Sequence, residues 1–209
     1  MPADMDEIYR KLPLDQIPWN SEAPPEALVA LVDSGKVAPC KAIDLGCGAG
    51  NYAIYLAGRG FDVTGVDLSP TAIRIAREQA GKRGVRCRFL VADVLGDLGE
   101  AGGPFGFAYD WEMLHHIFPQ DREKYIRNVV RLLEHEGKYL SVCFNEQDPG
   151  FGGRGKYRKT WLGTELYFSS LDELRELFAP HFDIFELKTM AIEGKSGRHF
   201  VNYAFMQKR

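Results

Sequence analysis

The segment from Lys41 to Ala57 constrains the fold of this chain more strongly than any other. Its sequence, KAIDLGCGAGNYAIYLA, combines an apolar strand, three glycines at alternate positions and an immediate helical pattern. Because glycine has no Cβ, a ligand can lie directly against the turning backbone at Gly46, Gly48 and Gly50. The free N–H groups at the start of the next helix can then meet that ligand. The segment therefore predicts a ligand site at the carboxyl end of a strand in an α/β fold.

Strand and helix patterns alternate as far as Phe144, and this order predicts a parallel, doubly wound, Rossmann-like sheet with right-handed crossovers. Expected helices span residues 25–35, 51–59, 70–80, 121–133 and 171–178. Expected strands span residues 42–45, 61–66, 87–92, 105–109, 138–144, 182–190 and 199–207. Ser69 and Ser170 are expected to cap the third and fifth helices. A short turn makes the last two strands antiparallel neighbours, so we expect a mostly parallel, seven-stranded sheet with a C-terminal antiparallel hairpin.

Length and composition fit a single domain. The chain has 209 residues, of which 45% are hydrophobic and 26% charged, and single cores grow to roughly 250–300 residues. We therefore expect one domain over residues 1–209. The net charge of −3 gives no general reason to expect a nucleic-acid partner. No run approaches the ~18 apolar residues of a membrane span, so we do not expect a membrane association either.

The cysteines and the N-terminus indicate the compartment. The four cysteines form no CxxC pair and have no spacing typical of metal ligands. Free thiols are typical of a reducing compartment. The first residues include Asp4, Asp6 and Glu7 and lack the apolar core of a signal peptide. We expect a cytoplasmic protein, monomeric or homodimeric, with no metal.

Aspartates end three successive predicted strands, at Asp44, Asp67 and Asp93. Ligands of open α/β sheets bind at the carboxyl ends of the strands. A carboxylate in the position of Asp67 can accept both hydroxyls of a ribose, and Asp93 can accept from an exocyclic amine such as that of adenine. Each aspartate alone would be explained as a helix cap. Three in register with a glycine turn predict an adenosine-bearing cofactor.

The spacing of the glycines bears on which cofactor binds. It is G-x-G-x-G, whereas dinucleotide-binding proteins have G-x-G-x-x-G with a pyrophosphate at the helix N-terminus. Asp44 stands two residues before the first glycine, and a carboxylate there disfavours a pyrophosphate but favours an ammonium and a sulfonium centre. A NAD(P)-binding Rossmann oxidoreductase and a non-catalytic cofactor-binding module stay as alternatives.

The motifs DLGCGAG, VTGVDLSP, VADV and LHHI resemble those of class I S-adenosylmethionine-dependent methyltransferases. The similarity covers about residues 43–144 and, through the terminal hairpin, most of the chain. It implies methyl transfer from S-adenosyl-L-methionine to a small-molecule acceptor by in-line displacement, with S-adenosyl-L-homocysteine as product. The implied cofactor-binding residues are Asp44, Gly46, Gly48, Gly50, Asp67, Leu68, Asp93, Val94 and Trp111.

A weaker similarity involves the N-terminal segment and the LHHI stretch. Both resemble parts of thiol, thiopurine and tellurite-type small-molecule methyltransferases, in which an N-terminal segment folds over the cofactor. The resemblance implies that residues 1–24 form an arm over the site and that Trp19 contacts the cofactor. The arm itself has many prolines and is expected to be irregular, but it is too apolar for a free tail.

Proton transfer is needed only if the acceptor is protonated at the working pH. Candidates for a general base are His115, His116, Glu112 and Asp110, and the two histidines are the predicted catalytic residues. The alternative for them is a helix packed beside the pocket. Neighbours on a helix project about 100° apart and cannot both bind one metal comfortably.

Residues 145–160 show no periodicity and contain several glycines and basic residues. A loop of this length predicts either a lid over an anionic or aromatic substrate or a solvated, disordered segment. The Asn-Pro-Pro and Asp-Pro-Pro runs of nucleic-acid methyltransferases are missing after the fourth strand, which favours a small acceptor. The sequence does not identify the atom that is methylated.

Overall fold

The computed structural model describes residues 5–152, 154–195 and 197–209. The first four residues of the expected arm, Gly153 of the expected loop and Ser196 of the expected hairpin turn lie outside the described residues. The helices are α1 Met5–Lys11, α2 Glu26–Asp33, α3 Asn51–Gly58, α4 Pro70–Lys82, α5 Pro119–Leu132 and α6 Leu171–Phe178. The strands are β1 Lys41–Leu45, β2 Asp62–Asp67, β3 Cys87–Val91, β4 Phe105–Trp111, β5 Leu133–Phe144, β6 Tyr157–Lys159, β7 Glu165–Tyr167, β8 Phe182–Gly194 and β9 Gly197–Lys208. Short 3₁₀ turns lie at Leu14–Gln16, Gly99–Ala101 and Leu114–His116.

Within the described residues, seven strands form one sheet in the order β3-β2-β1-β4-β5-β9-β8. Strands β1 to β5 run parallel, and β9 lies antiparallel between β5 and β8. The expected parallel sheet with a C-terminal hairpin is confirmed. The chain builds outward from β1 to β3 and then crosses back to β4. Strands β1 and β4 therefore form the switch point at which ligands of such sheets bind.

Helices cover both faces of the sheet because successive strand residues point to opposite sides. Phe107 and Tyr109 belong to an apolar cluster with residues of α2, α3 and α4. Ala108, which lies between them in β4, belongs to a second cluster with residues of α5 and α6. All three side chains are buried. Burial on both faces explains why the central strands are apolar almost without interruption.

The predicted helix starts at Ser69 and Ser170 are confirmed by their hydrogen bonds. The Ser69 hydroxyl accepts from the backbone N–H of Ala72 at 3.0 Å, and Pro70 follows at the first helical position. The Ser170 hydroxyl accepts from the Glu173 N–H at 3.2 Å, while the Glu173 carboxylate accepts from the Ser170 N–H at 2.8 Å. This second pair is a capping box, which satisfies two otherwise orphaned donors.

The expectation of an irregular N-terminal arm is wrong for Met5–Lys11 and Leu14–Gln16, which form α1 and a short 3₁₀ turn. Residues 17–24 contain no helix or strand, as expected. The Asp6 carboxylate accepts from the Ser69 hydroxyl at 2.7 Å and from the Thr71 N–H at 2.8 Å, which fixes α1 against the start of α4. Ile8 is buried in the same contact. A helix of this length gains its stability from such packing, which the local sequence does not reveal.

Two further boundaries differ from the prediction. Part of the expected structureless segment 145–160 forms β6, which pairs with β7 as a small antiparallel ladder. Strand β5 begins at Leu133 instead of at residue 138. Its first residues include Glu136 at a φ of 60°, and the pairing with β4 shifts register there. Residues 135–137, which lie between the expected helix 121–133 and the expected strand 138–144, therefore form an irregularity within β5.

Candidate active site

The glycine turn follows the carboxyl end of β1. Gly46, Gly48 and Gly50 have φ values of 79°, 50° and 79°, a region that residues with a Cβ rarely adopt. A Cβ on Gly46 would lie 2.5 Å from Cγ of Met113, and a Cβ on Gly48 would lie 2.5 Å from the Tyr9 hydroxyl. The turn thus needs glycine both for its backbone and for the side chains that lie over it.

A cavity of about 390 Å³ opens over this turn. Nine of the ten predicted cofactor-binding residues line it, namely Trp19, Asp44, Gly46, Gly48, Asp67, Leu68, Asp93, Val94 and Trp111. Gly50 does not line it. A Cβ on Gly50 would lie 2.8 Å from Cβ of Ala76 and 2.9 Å from the Phe89 ring, so this glycine permits close packing beneath the turn.

The three predicted aspartates lie along one edge of the cavity with different degrees of burial. Asp67 accepts from the Gly48 N–H at 2.8 Å and from the Ser69 N–H at 2.9 Å, so it also fixes the glycine turn. Asp93 is exposed and accepts from the Leu95 N–H at 2.8 Å. Leu68 lies between them in the cavity wall with 65% of its surface exposed.

The electrostatics of this cavity favour a positively charged ligand. Burial raises the pKa of Asp44 to about 8, and burial also raises the pKa of Asp67. Among the described residues that line the cavity there is no Lys or Arg to pair with these carboxylates. A cationic ligand group would stabilise both in their ionised forms. The donor set therefore fits an ammonium and a sulfonium group and opposes a pyrophosphate.

The N-terminal arm covers this cavity. Tyr9, Trp19 and Asn20 line it, and the Trp19 indole N–H donates to the Tyr9 hydroxyl at 2.9 Å. The Asn51 amide at the start of α3 donates to the Asn20 side-chain oxygen at 3.0 Å. The predicted position of Trp19 is consistent with this geometry. Tyr9 and Asn20 were not predicted, and the apolar composition of the arm was the only signal for them.

A lysine from the C-terminal hairpin holds the arm from the other side. The ammonium of Lys195, in the turn between β8 and β9, donates to the carbonyls of Leu14, Asp15 and Ile17 at 3.3, 2.9 and 2.9 Å. These carbonyls end the short 3₁₀ turn of the arm, where cations are favourable. The arm is therefore fixed at Asp6 on one side and at Lys195 on the other.

The two predicted catalytic histidines occupy different positions. His115 is buried and stacks on Phe144 with ring centroids 4.5 Å apart, and it does not line the cavity over the glycine turn. His116 does line it. Burial lowers the pKa of His116 to about 4 and that of His115 well below its ordinary value. Both imidazoles are therefore neutral near pH 7.

Asp110, a further candidate base, is enclosed in the core. It is 0% exposed and accepts from the hydroxyls of Tyr125 at 3.0 Å, Ser141 at 3.1 Å and Tyr139. It does not line the cavity over the glycine turn, nor a second cavity that adjoins it and is described below. Its position excludes direct contact with a ligand there, so the structure corrects this candidate: Asp110 organises the core beneath the site.

Glu112, unlike Asp110, lies in the cavity wall. It follows β4 directly, adopts a φ of 62° and donates its backbone N–H to the Val142 carbonyl at 2.8 Å. Its half-buried side chain lines the cavity over the glycine turn and also a second cavity. Burial raises the pKa of Glu112 to about 7.

The second cavity, of about 590 Å³, adjoins the first. Among the described residues, six line both, namely Trp19, Ser21, Tyr52, Trp111, Glu112 and His116. His115 lines the second cavity but not the first. A ligand in one cavity can therefore approach a ligand in the other across this shared wall.

Residues 145–160 line part of the second cavity, while Arg158 makes hydrogen bonds within this segment. Arg158 is buried and donates to the carbonyls of Glu146 at 2.6 Å, Gly150 at 3.0 Å and Gly155 at 2.9 Å. Phe151 lines the second cavity. The loop is thus tied to its own backbone beside the site.

Among the described residues, no group of three or more His, Cys, Asp or Glu side chains could hold a metal ion. None of the helices described is long and apolar enough to cross a membrane.

Comparison with known proteins gives one family. Residues 42–137 match the model of a methyltransferase domain. A 2-heptyl-1-hydroxyquinolin-4(1H)-one methyltransferase of Mycobacteroides abscessus is 34% identical over 130 residues, which is 62% of this chain and 56% of that protein. The chain thus spans little more than half the length of this curated relative.

Solved structures cover more of the chain. One comes from work on the conversion of a disulfide bond into a thioacetal group during echinomycin biosynthesis. It is 27% identical, covers 97% of this chain and 90% of its own, and has a TM-score of 0.81. The 1,6-didemethyltoxoflavin-N1-methyltransferase of Burkholderia thailandensis, with bound S-adenosylhomocysteine, is 24% identical, covers 97% and 84%, and has a TM-score of 0.73. The similarity to this second structure shows that the fold is shared.

Proposed function

We propose that the chain is a class I S-adenosylmethionine-dependent methyltransferase and that it methylates a small-molecule acceptor. The observation that carries the proposal is the cavity over the glycine turn, which is lined by the buried Asp44 and the half-buried Asp67 and has no Lys or Arg among its described lining residues. An oxidoreductase would have to place a pyrophosphate against Asp44, whose pKa is already raised, with no Lys or Arg among the described lining residues to pair with the anion. The glycine turn, the carboxylates and the family therefore favour the same donor.

We assign the cofactor contacts by position along the cavity. Asp67 would accept from the ribose hydroxyls, and Asp93 would accept from the adenine amine. Leu68 and Val94 would pack on the adenine. The methionine part would lie against the wall formed by Trp19, Asp44, Gly46, Gly48 and Trp111.

When bound, S-adenosyl-L-methionine supplies a methyl group on a positively charged sulfur. The chain contributes alignment and the exclusion of water. Tyr9 and Trp19 lie over the glycine turn and shield it, while Trp111 and His116 line the wall toward the second cavity. Well-oriented reactants gain on the order of 7–11 kcal/mol over reactants free in solution. His115 and His116, as neutral imidazoles, stay candidates for contact with the acceptor.

Several further features belong to the same proposal. The whole chain would act as one domain, with residues 1–24 as a cover over the cofactor and residues 145–160 as a lid beside the acceptor. We propose a cytoplasmic monomer or homodimer without a nucleic-acid partner. The absence of disulfides among its four cysteines and its net charge of −3 support this.

Replacement of Asp67 tests the proposal. We expect Asp67→Ala to weaken the binding of S-adenosylhomocysteine at least about tenfold, a loss of about 1.4 kcal/mol, measured by calorimetry. Asp62→Ala is the matched control, since Asp62 begins the same strand at its far end. Binding of NAD(H) without binding of S-adenosylhomocysteine would contradict the proposal. Failure to turn over labelled S-adenosylmethionine with any thiol, amine, hydroxyl or carboxylate acceptor would favour a non-catalytic module.

A further inference from the structure

The second cavity has aromatic walls on several sides. Tyr52 and Trp111 meet edge to face with ring centroids 6.4 Å apart. Phe144 and Phe151 also line this cavity, and their ring centroids are 5.6 Å apart. Trp161 lines the same cavity with 68% of its surface exposed. Rings in these orientations offer faces and edges to a flat π system, which gains more from such contacts than a saturated molecule of equal area.

A volume of about 590 Å³ is in the range of small-molecule sites and exceeds the needs of a small thiol or amine. Apolar walls of this kind hold a ligand by area, and a small number of polar groups then orient it. The polar group that matters for chemistry must lie at the wall shared with the first cavity, because the methyl group would cross there. Glu112 lies in that wall.

The groups that share these cavities with Glu112 bear on whether its carboxylate can accept a proton. It shares the first cavity with Asp44 and both cavities with Tyr52 and His116. Burial and the charge of Glu112 raise the pKa of Tyr52, and burial keeps His116 neutral. The other titratable or charged residues that line the second cavity are Glu26, His115, Glu193, Lys195 and His199.

On the basis of the proposed function, we infer that the second cavity takes a planar aromatic acceptor whose hydroxyl proton passes to the Glu112 carboxylate. The hydroxyl oxygen forms the bond to the methyl carbon. The bond from that carbon to sulfur breaks, and its electron pair stays on the sulfur. The products are an aromatic methyl ether, the neutral thioether and protonated Glu112, which releases its proton to water.

The chemistry distinguishes a hydroxyl from other acceptors. A thiol with an ordinary pKa near 8.5 is partly ionised at neutral pH and needs little help. A phenolic hydroxyl has a pKa near 10, so it gains from a base whose own pKa lies near the working pH. Glu112 meets this condition because burial raises its pKa to about 7.

The first test measures binding in the presence of S-adenosylhomocysteine. The probe is 2-naphthol, a planar bicyclic phenol whose hydroxyl has an ordinary phenolic pKa near 10, and the comparison ligand is its saturated counterpart, decahydro-2-naphthol. We expect 2-naphthol to bind at least about tenfold more tightly. Trp161→Ala should weaken its binding about two- to tenfold, and Trp161→Phe should weaken it less.

Phe185→Ala is the control for the tryptophan variants. Phe185 is 53% exposed on β8 and does not line the second cavity, so its removal should leave 2-naphthol binding unchanged. Equal binding of the saturated alcohol, or an unchanged affinity in Trp161→Ala, would overturn the aromatic assignment.

The second test follows the ionisation of the bound probe by its absorption spectrum. An ionised Glu112 beside the hydroxyl disfavours the phenolate and accepts a hydrogen bond from the neutral form, so it raises the pKa of the bound phenol. In Glu112→Gln this pKa should fall by about one unit or more. Turnover of the probe should fall by about 10²–10⁴-fold and lose its rise with pH through about 7.

Binding of S-adenosylhomocysteine separates the possible failures. If Glu112→Gln binds it normally but shows the wild-type phenol pKa and turnover, the role of Glu112 is wrong. If a thiol is methylated while 2-naphthol is not bound, the acceptor class is wrong and the proposed function stands. If S-adenosylhomocysteine does not bind the wild-type protein, the proposed function itself fails.

Discussion

At the scale of residues, Asp110 and Glu112 show how two neighbouring carboxylates acquire different roles. In a continuous strand, residues two apart lie on the same face. Glu112 follows the last residue of β4 and turns to a φ of 62°, so that rule no longer applies to it. Asp110 therefore stays in the core among three hydroxyls, while Glu112 lies between two cavities.

Removal of Asp110 should destabilise the fold. Asp110→Ala leaves the buried hydroxyls of Tyr125, Tyr139 and Ser141 without their acceptor. Each unsatisfied buried group costs about 1–3 kcal/mol, so we expect the free energy of unfolding to fall by about 3 kcal/mol or more in urea denaturation at pH 7. Ser141→Ala, which removes one donor, should cost about 1 kcal/mol. A loss of less than about 1 kcal/mol in Asp110→Ala would contradict the role of Asp110 as the acceptor for these hydroxyls.

At the scale of elements, the N-terminal arm is the part of the site that depends most on distant contacts. Helix α1 is fixed to the start of α4 through Asp6, and the following 3₁₀ turn is fixed to the C-terminal hairpin through Lys195. Neither contact follows from local sequence, because the partners lie far apart in the chain. Strand β6 is a more local case, because its partner β7 begins at Glu165 and Arg158 donates to the nearby carbonyl of Glu146.

Loss of the lysine should loosen the arm. Lys195→Met removes the donor to the carbonyls of Leu14, Asp15 and Ile17. We expect amide hydrogen exchange in residues 8–20 to become about tenfold faster, because hydrogen bonds from charged groups contribute about 1.5 kcal/mol or somewhat more. S-adenosylhomocysteine should also dissociate faster.

Lys188→Met is the control for the lysine variant. Lys188 pairs with Glu186 within β8 and has no hydrogen bond or ion pair to the described residues of the arm, so its loss should leave the exchange of the arm unchanged. Unchanged exchange in Lys195→Met would show that Asp6 and the buried apolar side chains hold the arm alone.

At the scale of the whole molecule, the strand order gathers the charges of the site. Strands β1, β2 and β3 are adjacent and parallel, so the aspartates at or just beyond their carboxyl ends lie along one edge. The crossover to β4 then adds Trp111 and Glu112 on the other side of the glycine turn. This arrangement places Asp44 and Asp67 together without a cation among the described cavity residues, which costs stability when both ionise.

Stability should therefore fall as the pH rises from 6.5 to 8. The pKa of Asp44 is about 8 in the folded protein against 3.8 for a free side chain, so in this range the folded state binds more protons than the unfolded state. The free energy of unfolding should fall by up to about 1.4 kcal/mol per pH unit for each such proton. His115 and His116, whose folded pKa values are lowered, oppose this fall near pH 6.5, where each is about half protonated in the unfolded state, and add little toward pH 8 because they are then neutral in both states.

Urea denaturation at several pH values measures this slope. Asp44→Asn should flatten it, and Glu112→Gln should remove a smaller part at the lower end, where the pKa of Glu112 of about 7 matters. S-adenosylmethionine should stabilise the protein more at pH 8 than at pH 6.5, since its positive charges pair with the ionised form. A stability that rises with pH across this range would contradict the assignment of the buried carboxylates.

The sequence by itself determined the alternating fold, the glycine turn and the three strand-end aspartates. These features depend on local order, because strand and helix periodicity, capping residues and glycine spacing act over a few positions. It also indicated a positively charged ligand, through Asp44 beside the turn. Only the tertiary structure decided that Tyr9 and Asn20 cover the site, since those contacts join distant segments.

The same distinction applies to the candidate bases. The sequence placed Asp110, Glu112, His115 and His116 near the end of β4 but could not choose among them. The choice depends on burial, on the backbone turn at Glu112 and on the wall shared by two cavities. Each of these arises only when β4, β5, the arm and the C-terminal hairpin pack together, because desolvation and cavity shape belong to the assembled fold.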